Sequence, residues 1–237
     1  MNFSKQIFIV VLIILTFGCN SKSKNFDKTS KPNQDAKVFE KKELNQAPKK
    51  ENDKFTLTDD NVIDFLFEYE KNNKENHVRI HTTFGNIDIL LYANTPYHRS
   101  NFIYLTKKKY FDGTQFYRVI NNFIIQGGNS DDKKTANKRA AIGRYLLPTD
   151  TNRGFTHERG VISMPSGEID NPYKLASPFE FFIIQQDRGS HFLDGDYTVF
   201  GKVISGMDVV DKIAAVKTDE ADWPLHNVYI RKAEIIN

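Results

Sequence analysis

The sequence predicts a mainly β domain, a closed antiparallel barrel capped by helices, behind a polar arm and a short apolar leader. Three observations point there. Short runs alternate apolar and polar residues between turn signals. Only two helix-period segments interrupt them. Hydrophobic residues make up 39% of 237, low for a compact domain of this size, yet nineteen phenylalanines need burying. The apolar content is therefore uneven, with a polar portion that does not fold beside an aromatic-rich portion that does. One cysteine rules out a disulfide framework and a multi-thiolate metal site. Of the net charge of +3, residues 20–54 carry +4, residues 55–75 carry −4 and residues 76–237 carry +2. A nucleic-acid-binding domain concentrates positive charge on its folded part, so no nucleic-acid partner is expected.

At the amino terminus Lys5 precedes an unbroken apolar run from Ile7 to Leu15. The run is short of the ~20 residues that span a membrane and has the form of a secretory signal. Cys19 follows Gly18 directly, so residues 1–18 resemble a bacterial lipoprotein signal peptide. That resemblance implies lipidation of Cys19 and a lipid-anchored protein of the bacterial cell envelope, on its periplasmic or surface face. More than one acyl chain there would anchor the protein stably. Residues 19–54 are rich in Lys, Asn, Asp, Gln and Ser without a period and read as a disordered tether. Residues 55–75 read as an amphipathic helix. Thr58-Asp59-Asp60-Asn61 supplies the start, Val62, Phe65, Leu66 and Tyr69 form the buried face, and Ile63 and Phe67 widen it.

From residue 76 onward the pattern is mostly strand. Val78, Ile80, Thr82 and Phe84 alternate with polar residues, Gly85-Asn86 turns the chain, and Ile87, Ile89 and Leu91 alternate again as a hairpin. Thr95-Pro96 opens a helix with Phe102, Ile103 and Leu105 inward and Lys107-Lys108-Lys109 near its end. After the Asp112-Gly113 turn come strands over 115–120 and 123–126. Residues 127–158 show little period and read as loop-rich. Strands resume over 161–164, 179–185, 197–204 and 228–236, with a helix over 207–216 burying Val209, Val210, Ile213 and Ala214.

Within these elements Tyr110-Phe111-Asp112-Gly113-Thr114-Gln115-Phe116-Tyr117-Arg118-Val119-Ile120 and Phe123-Ile124-Ile125-Gln126-Gly127-Gly128 resemble the central signature of the cyclophilins. These are peptidyl-prolyl cis–trans isomerases. Arg159 to Met164, Phe179 to Ile183, Phe192 to Gly195 and Val199 to Val203 match in the family's order, so the resemblance spans essentially all of residues 76–237. It implies an eight-stranded cyclophilin-like barrel capped by two helices, proline-containing polypeptides as partners, and no cofactor or metal. A monomer is expected.

The chemistry explains which residues to look for. Rotation about an X–Pro bond faces a barrier of ~18–20 kcal/mol, because amide resonance must be lost. No bond breaks, so no nucleophile or metal is needed. What is needed is an apolar slot for the ring and a donor to the prolyl nitrogen, which accepts a hydrogen bond only once twisted. A permanently charged guanidinium suits that role, and Arg118 is the catalytic candidate. The resemblance assigns Phe123, Ile124, Phe182 and Leu193 to the slot, with Phe192 and Tyr197 beside it and Gln126 holding Arg118 and contacting substrate backbone. Several positions depart from the family pattern: Tyr117 and Tyr197 stand for histidines, Ile124 for methionine, Phe192 for tryptophan and Pro165-Ser166 for Ala-Asn. Glu180 replaces glutamine. Strand alternation puts it on the face of Phe182, where an ion pair with Arg118 is expected. The histidines, His157 included, form no metal spacing, and HExxH, P-loop and nucleophile-elbow motifs are absent. The functional expectation is an isomerase serving exported or envelope proteins; the alternative is a non-catalytic prolyl-peptide-binding chaperone or scaffold on the same barrel.

Overall fold

The computed structural model describes residues 55–167 and 171–236. The readings of a signal peptide at 1–18, lipidation at Cys19 and a tether at 19–54 lie outside the described residues. The elements in order are β1 (Leu57–Thr58), α1 (Val62–Asn72), β2 (His77–Thr82), β3 (Asn86–Leu91), α2 (Pro96–Lys107), β4 (Gln115–Ile120), β5 (Ile124–Asn129), α3 (Lys133–Ile142), β6 (Gly143–Arg144), β7 (Val161–Ser163), β8 (Phe181–Ile184), β9 (Val199–Ser205), α4 (Met207–Ala214) and β10 (Val228–Ile235). Eight strands close into a barrel in the order β10-β2-β3-β9-β7-β8-β5-β4, every neighbouring pair antiparallel. Among the described residues, closure leaves the barrel itself no free strand edge.

Alternation along each strand sends one set of side chains inward and the other outward. The inward set includes Ile80, Ile89, Phe116, Ile125, Ile162, Phe181, Ile183 and Phe200, packed with Phe102 and Phe111. Phe102 meets Phe111, Phe181 and Phe200 at ring-centroid distances of 4.7, 5.5 and 5.6 Å. On one side of the barrel the outward set is apolar too. Ile124, Val161, Phe182, Ile184 and Val199 form a second cluster, with Phe123, Leu193 and Tyr197 against it. The whole of β8 is therefore buried, one face in the barrel and one beneath the second cluster.

α2 starts at Pro96 and buries Phe102, Ile103 and Leu105, and α4 buries Val209, Val210, Ile213 and Ala214. α1 packs on α2. Its helix start differs from the capping reading: the Asn61 side chain accepts from the Thr58 N–H at 2.9 Å rather than capping the first turn. Phe67 lies outside the buried face, 53% exposed, with the Lys71 ammonium 4.4 Å above its ring. β1 pairs in parallel with β6. Phe84 also lies outside its expected strand, in the turn after β2.

The loop-rich stretch expected over 127–158 contains a helix, α3, that the sequence reading did not foresee. Only Thr135 and Ile142 are buried there, so the helix shows no apolar stripe. Its ends are chemically marked, with the Asp132 side chain accepting from the Lys134 N–H and Gly143 at φ 137° closing it. At the end of β5, Gly128 has φ 97°, and a Cβ there would sit 2.4 Å from the Phe179 carbonyl oxygen. Only glycine lets β5 pass that close to the segment leading into β8.

Candidate active site

Strand register brings the site together from distant parts of the chain. Arg118 on β4 lies opposite Gln126 on β5, Gln126 opposite Phe182 on β8, and Phe182 opposite Ser163 on β7. Residues opposite one another in neighbouring strands share a face. Arg118, Phe123, Ile124, Gln126, Phe182, Leu193 and Tyr197, with Pro165 and Ser166, line one cavity of about 420 Å³. Phe182 forms its apolar floor, and the Tyr197 ring meets that floor edge-on at 5.8 Å.

Two candidates stand apart. Phe192 does not line the cavity; its ring is 72% exposed and stacks on Phe123 at 5.5 Å. Glu180 does not line it either, and it is not paired with Arg118. Strand alternation fails here because β8 begins at Phe181, one residue later. The Glu180 carboxylate instead accepts from the Tyr117 hydroxyl at 2.9 Å, the Asn129 side-chain amide at 3.1 Å and the Arg139 guanidinium at 3.2 Å. Arg118 pairs with Asp222, Nε to Oδ2 at 3.4 Å, where both side chains are partly exposed. A pair in that setting is weak and does not commit the rest of the guanidinium. Gln126 likewise does not hold Arg118. Its Nε2 donates to the Tyr117 hydroxyl oxygen. Burial, reinforced by the Glu180 charge, pushes the Tyr117 phenol far above its ordinary value, so it remains a hydroxyl donor.

Beneath the floor lies a second polar group. His157 is fully buried, its Nδ1 2.7 Å from an Asp194 carboxylate oxygen and its Nε2 3.1 Å from Ser163 Oγ, which donates to the Thr198 carbonyl at 2.8 Å. His157 and Phe182 stack with centroids 6.0 Å apart. Asp194 follows Leu193 directly, so this linkage ties the cavity wall to β7. Burial lowers the His157 pKa, and the Asp194 charge opposes that shift. The Ser–His–Asp series has the residue types of a nucleophilic triad, but Ser163 is fully buried and its hydroxyl is committed. It serves as an anchor.

Residue-by-residue reading of the sequence missed Asp222, Trp223, Arg139, His157 and Asp194 as parts of this region. Asp222 sits at φ 64°, and its carbonyl accepts the Val119 N–H at 2.8 Å, while Trp223 packs 5.8 Å from Tyr117. The one local signal was Asp219, whose side chain accepts from the N–H groups of Ala221 and Trp223 and so marks a turn. A larger cavity, about 670 Å³, is lined by Leu57, Tyr145, Phe179, Glu180 and others. Arg139, on its wall, is tied to Glu180. Among the described residues no group of three or more His, Cys, Asp or Glu could hold a metal ion.

Comparison with known proteins agrees with this fold. The family described as cyclophilin type peptidyl-prolyl cis-trans isomerase matches residues 77–235. A peptidyl-prolyl cis-trans isomerase of Acinetobacter baylyi is 40% identical over 147 residues, covering 60% of this chain and 73% of that protein. The peptidyl-prolyl cis-trans isomerase-like 2 protein of Rhizopus delemar is 34% identical over 171 residues, 71% of this chain, which spans only 30% of that longer protein. The crystal structure of a Cryptosporidium parvum cyclophilin type isomerase has a TM-score of 0.58 and 26% identity, with 69% of this chain and 98% of that one covered. The same Cryptosporidium protein has also been crystallised in the presence of the dipeptide Ala-Pro, a structure covering 68% of this chain and 99% of that one (TM-score 0.56, 25% identity). With a closed eight-stranded barrel, a cavity of mixed polar and apolar lining on its outer face and a family match over most of the chain, the protein belongs to the cyclophilin-type peptidyl-prolyl cis-trans isomerases.

Proposed function

We propose that this chain accelerates cis–trans rotation of X–Pro bonds in exported or envelope proteins, with Arg118 as the donor to the prolyl nitrogen. The observation that carries the reading is a single guanidinium, Arg118, lining one cavity together with the apolar side chains of Phe123, Ile124, Phe182 and Leu193. Phe123, Ile124, Leu193 and Tyr197 immobilise the ring, so rotation is confined to the carbonyl side of the bond. As the amide twists, its nitrogen becomes pyramidal and gains a lone pair that Arg118 can bond. That interaction exists only in the twisted geometry and so lowers the barrier rather than the ground state. Lowering the barrier by roughly 7 kcal/mol accelerates rotation about 10⁵-fold. The Cryptosporidium relative's structure with Ala-Pro supports a proline-containing peptide as the ligand class.

A second reading, a non-catalytic prolyl-peptide binder, is favoured by one observation: Asp222 pairs with Arg118 and competes for its charge. A protease-coupled isomerisation assay on a prolyl tetrapeptide separates the two. For the enzyme, Arg118→Ala lowers kcat/KM by about 100-fold or more, the loss typical of one transition-state donor, and Asp222→Asn retains or raises activity. Peptide binding by the wild type without acceleration supports the binder and removes the catalytic reading. The envelope setting rests on the apolar leader and Cys19.

A further inference from the structure

Within the prolyl-peptide reading, we propose that Tyr117 and Glu180 are positioning residues: they fix which end of the Gln126 side-chain amide faces the cavity, so that the site presents an acceptor, Gln126 Oε1, to a backbone N–H flanking the proline. The direction of each hydrogen bond in the series sets that of the next. A carboxylate accepts and never donates. Glu180, beside the Arg139 guanidinium and the Asn129 amide, is such an acceptor for the Tyr117 hydroxyl at 2.9 Å. A phenol has one hydrogen, and here it is spent on Glu180. Toward Gln126 the Tyr117 oxygen can therefore only accept. Gln126 must turn its NH₂ to Tyr117, as the structure has it.

The two ends of a glutamine side chain are nearly the same shape and are told apart by their partners. Here the order of the chain removes the ambiguity. Among the described residues Gln126 Oε1 has no hydrogen-bond partner, although Gln126 lines the proline cavity. Its free lone pairs select a donor, and the donors a prolyl peptide offers near its proline are backbone N–H groups. With glutamine at position 180 the direction would be undetermined. That amide could donate to Tyr117, leaving the phenol free to donate to Gln126 Oε1 and turn the NH₂ into the cavity.

The experiment is a fluorescence titration of full-length wild type, Tyr117→Phe, Glu180→Gln, the double variant and Gln126→Ala. Each is titrated with one prolyl tetrapeptide and with two analogues N-methylated at the residue before or after the proline. Thermal melts confirm that each variant is folded. Wild type is expected to bind one analogue about 5- to 10-fold more weakly than the parent, the loss expected for one hydrogen bond. Gln126→Ala should not discriminate, which separates a lost hydrogen bond from a steric clash of the methyl group. Tyr117→Phe and Glu180→Gln should each lose the discrimination, and the double variant should be no weaker than either single one. In turnover assays the same variants should raise KM more than they lower kcat. Glu180→Gln is nearly isosteric and carries the test if Tyr117→Phe does not fold. Equal binding of all three peptides by wild type overturns the proposal, as does unchanged discrimination in both single variants. Because affinity is the readout, wild type that binds but does not turn over removes the catalytic reading while this test still decides.

Discussion

His98 is fully buried in α2, its ring 6.0 Å from Phe200, and neither ring nitrogen has a hydrogen-bond partner among the described residues. Burial pushes its pKa down to about 4, with the charge of Asp150 opposing the shift. A histidine depressed in the folded state takes up its proton more readily when unfolded. Its contribution is therefore whole above the ordinary value near 6.5 and is lost as pH falls toward 4. The span corresponds to roughly 3 kcal/mol. His157 is depressed in the same direction. The carboxylates of Glu70, Asp88 and Asp211 are also lowered, so their stabilisation is present above their ordinary values and fades below them, at more acid pH. Of these groups, the two histidines are the ones whose contribution falls off between about pH 6.5 and 4.5. Urea denaturation across that window should show stability declining with acidification, and His98→Leu should flatten much of the decline. An unaltered slope in that variant would remove His98 as the cause.

At the scale of elements, β1 and α1 are a layer added outside the matched residues 77–235. Leu57 and Leu66 are fully buried, and Phe65 meets Tyr104 edge-on at 5.0 Å. The attachment also contains a charge. Arg99 on α2 is almost wholly buried and donates to Glu70 on α1. Removing one partner of such a pair leaves a buried charge uncompensated, which costs about 3–5 kcal/mol, comparable with the 2–5 kcal/mol of a buried Leu→Ala change. Glu70→Gln and Leu66→Ala should each lower the unfolding free energy from urea titration strongly, while Glu68→Gln, in an exposed pair with Lys71, should change it by less than about 1 kcal/mol. Equal, small effects at all three sites would mean that α1 rests only loosely on α2. Strands and the two capping helices were legible in the sequence because alternation and apolar stripes record what each residue faces. α3 was not, because it buries Thr135 and Ile142 alone. Glu180 was misplaced by one residue of strand length, and Asp222, Arg139 and Asp194 reach their partners across more than thirty residues of chain. No local pattern records such contacts, whereas Arg118, Gln126 and Phe182 were found through the family resemblance and are brought together by strand register.

For the whole molecule, the cavity and the proposed attachment point are separate pieces of chemistry. Every cavity residue lies between positions 118 and 197, while the apolar leader ends just before Cys19. Among the described residues no helix is long and apolar enough to cross a membrane. In the proposed lipoprotein, acyl chains at Cys19 would carry membrane residence. One chain gives only marginal, reversible binding, and two or more hold firmly. The basic balance of residues 20–54 can add attraction to anionic headgroups, but that attraction is screened over about 8–10 Å at physiological salt and does not replace a lipid. Cys19→Ser in full-length protein expressed in a bacterial host should abolish incorporation of labelled fatty acid and move the protein from the detergent phase to the aqueous phase. Its kcat/KM on a short prolyl peptide should stay within about twofold of wild type, since no cavity group has changed. Persistent partition of Cys19→Ser into the detergent phase would refute anchoring through this cysteine, and a large fall in kcat/KM would refute the independence of the cavity's chemistry from the anchor.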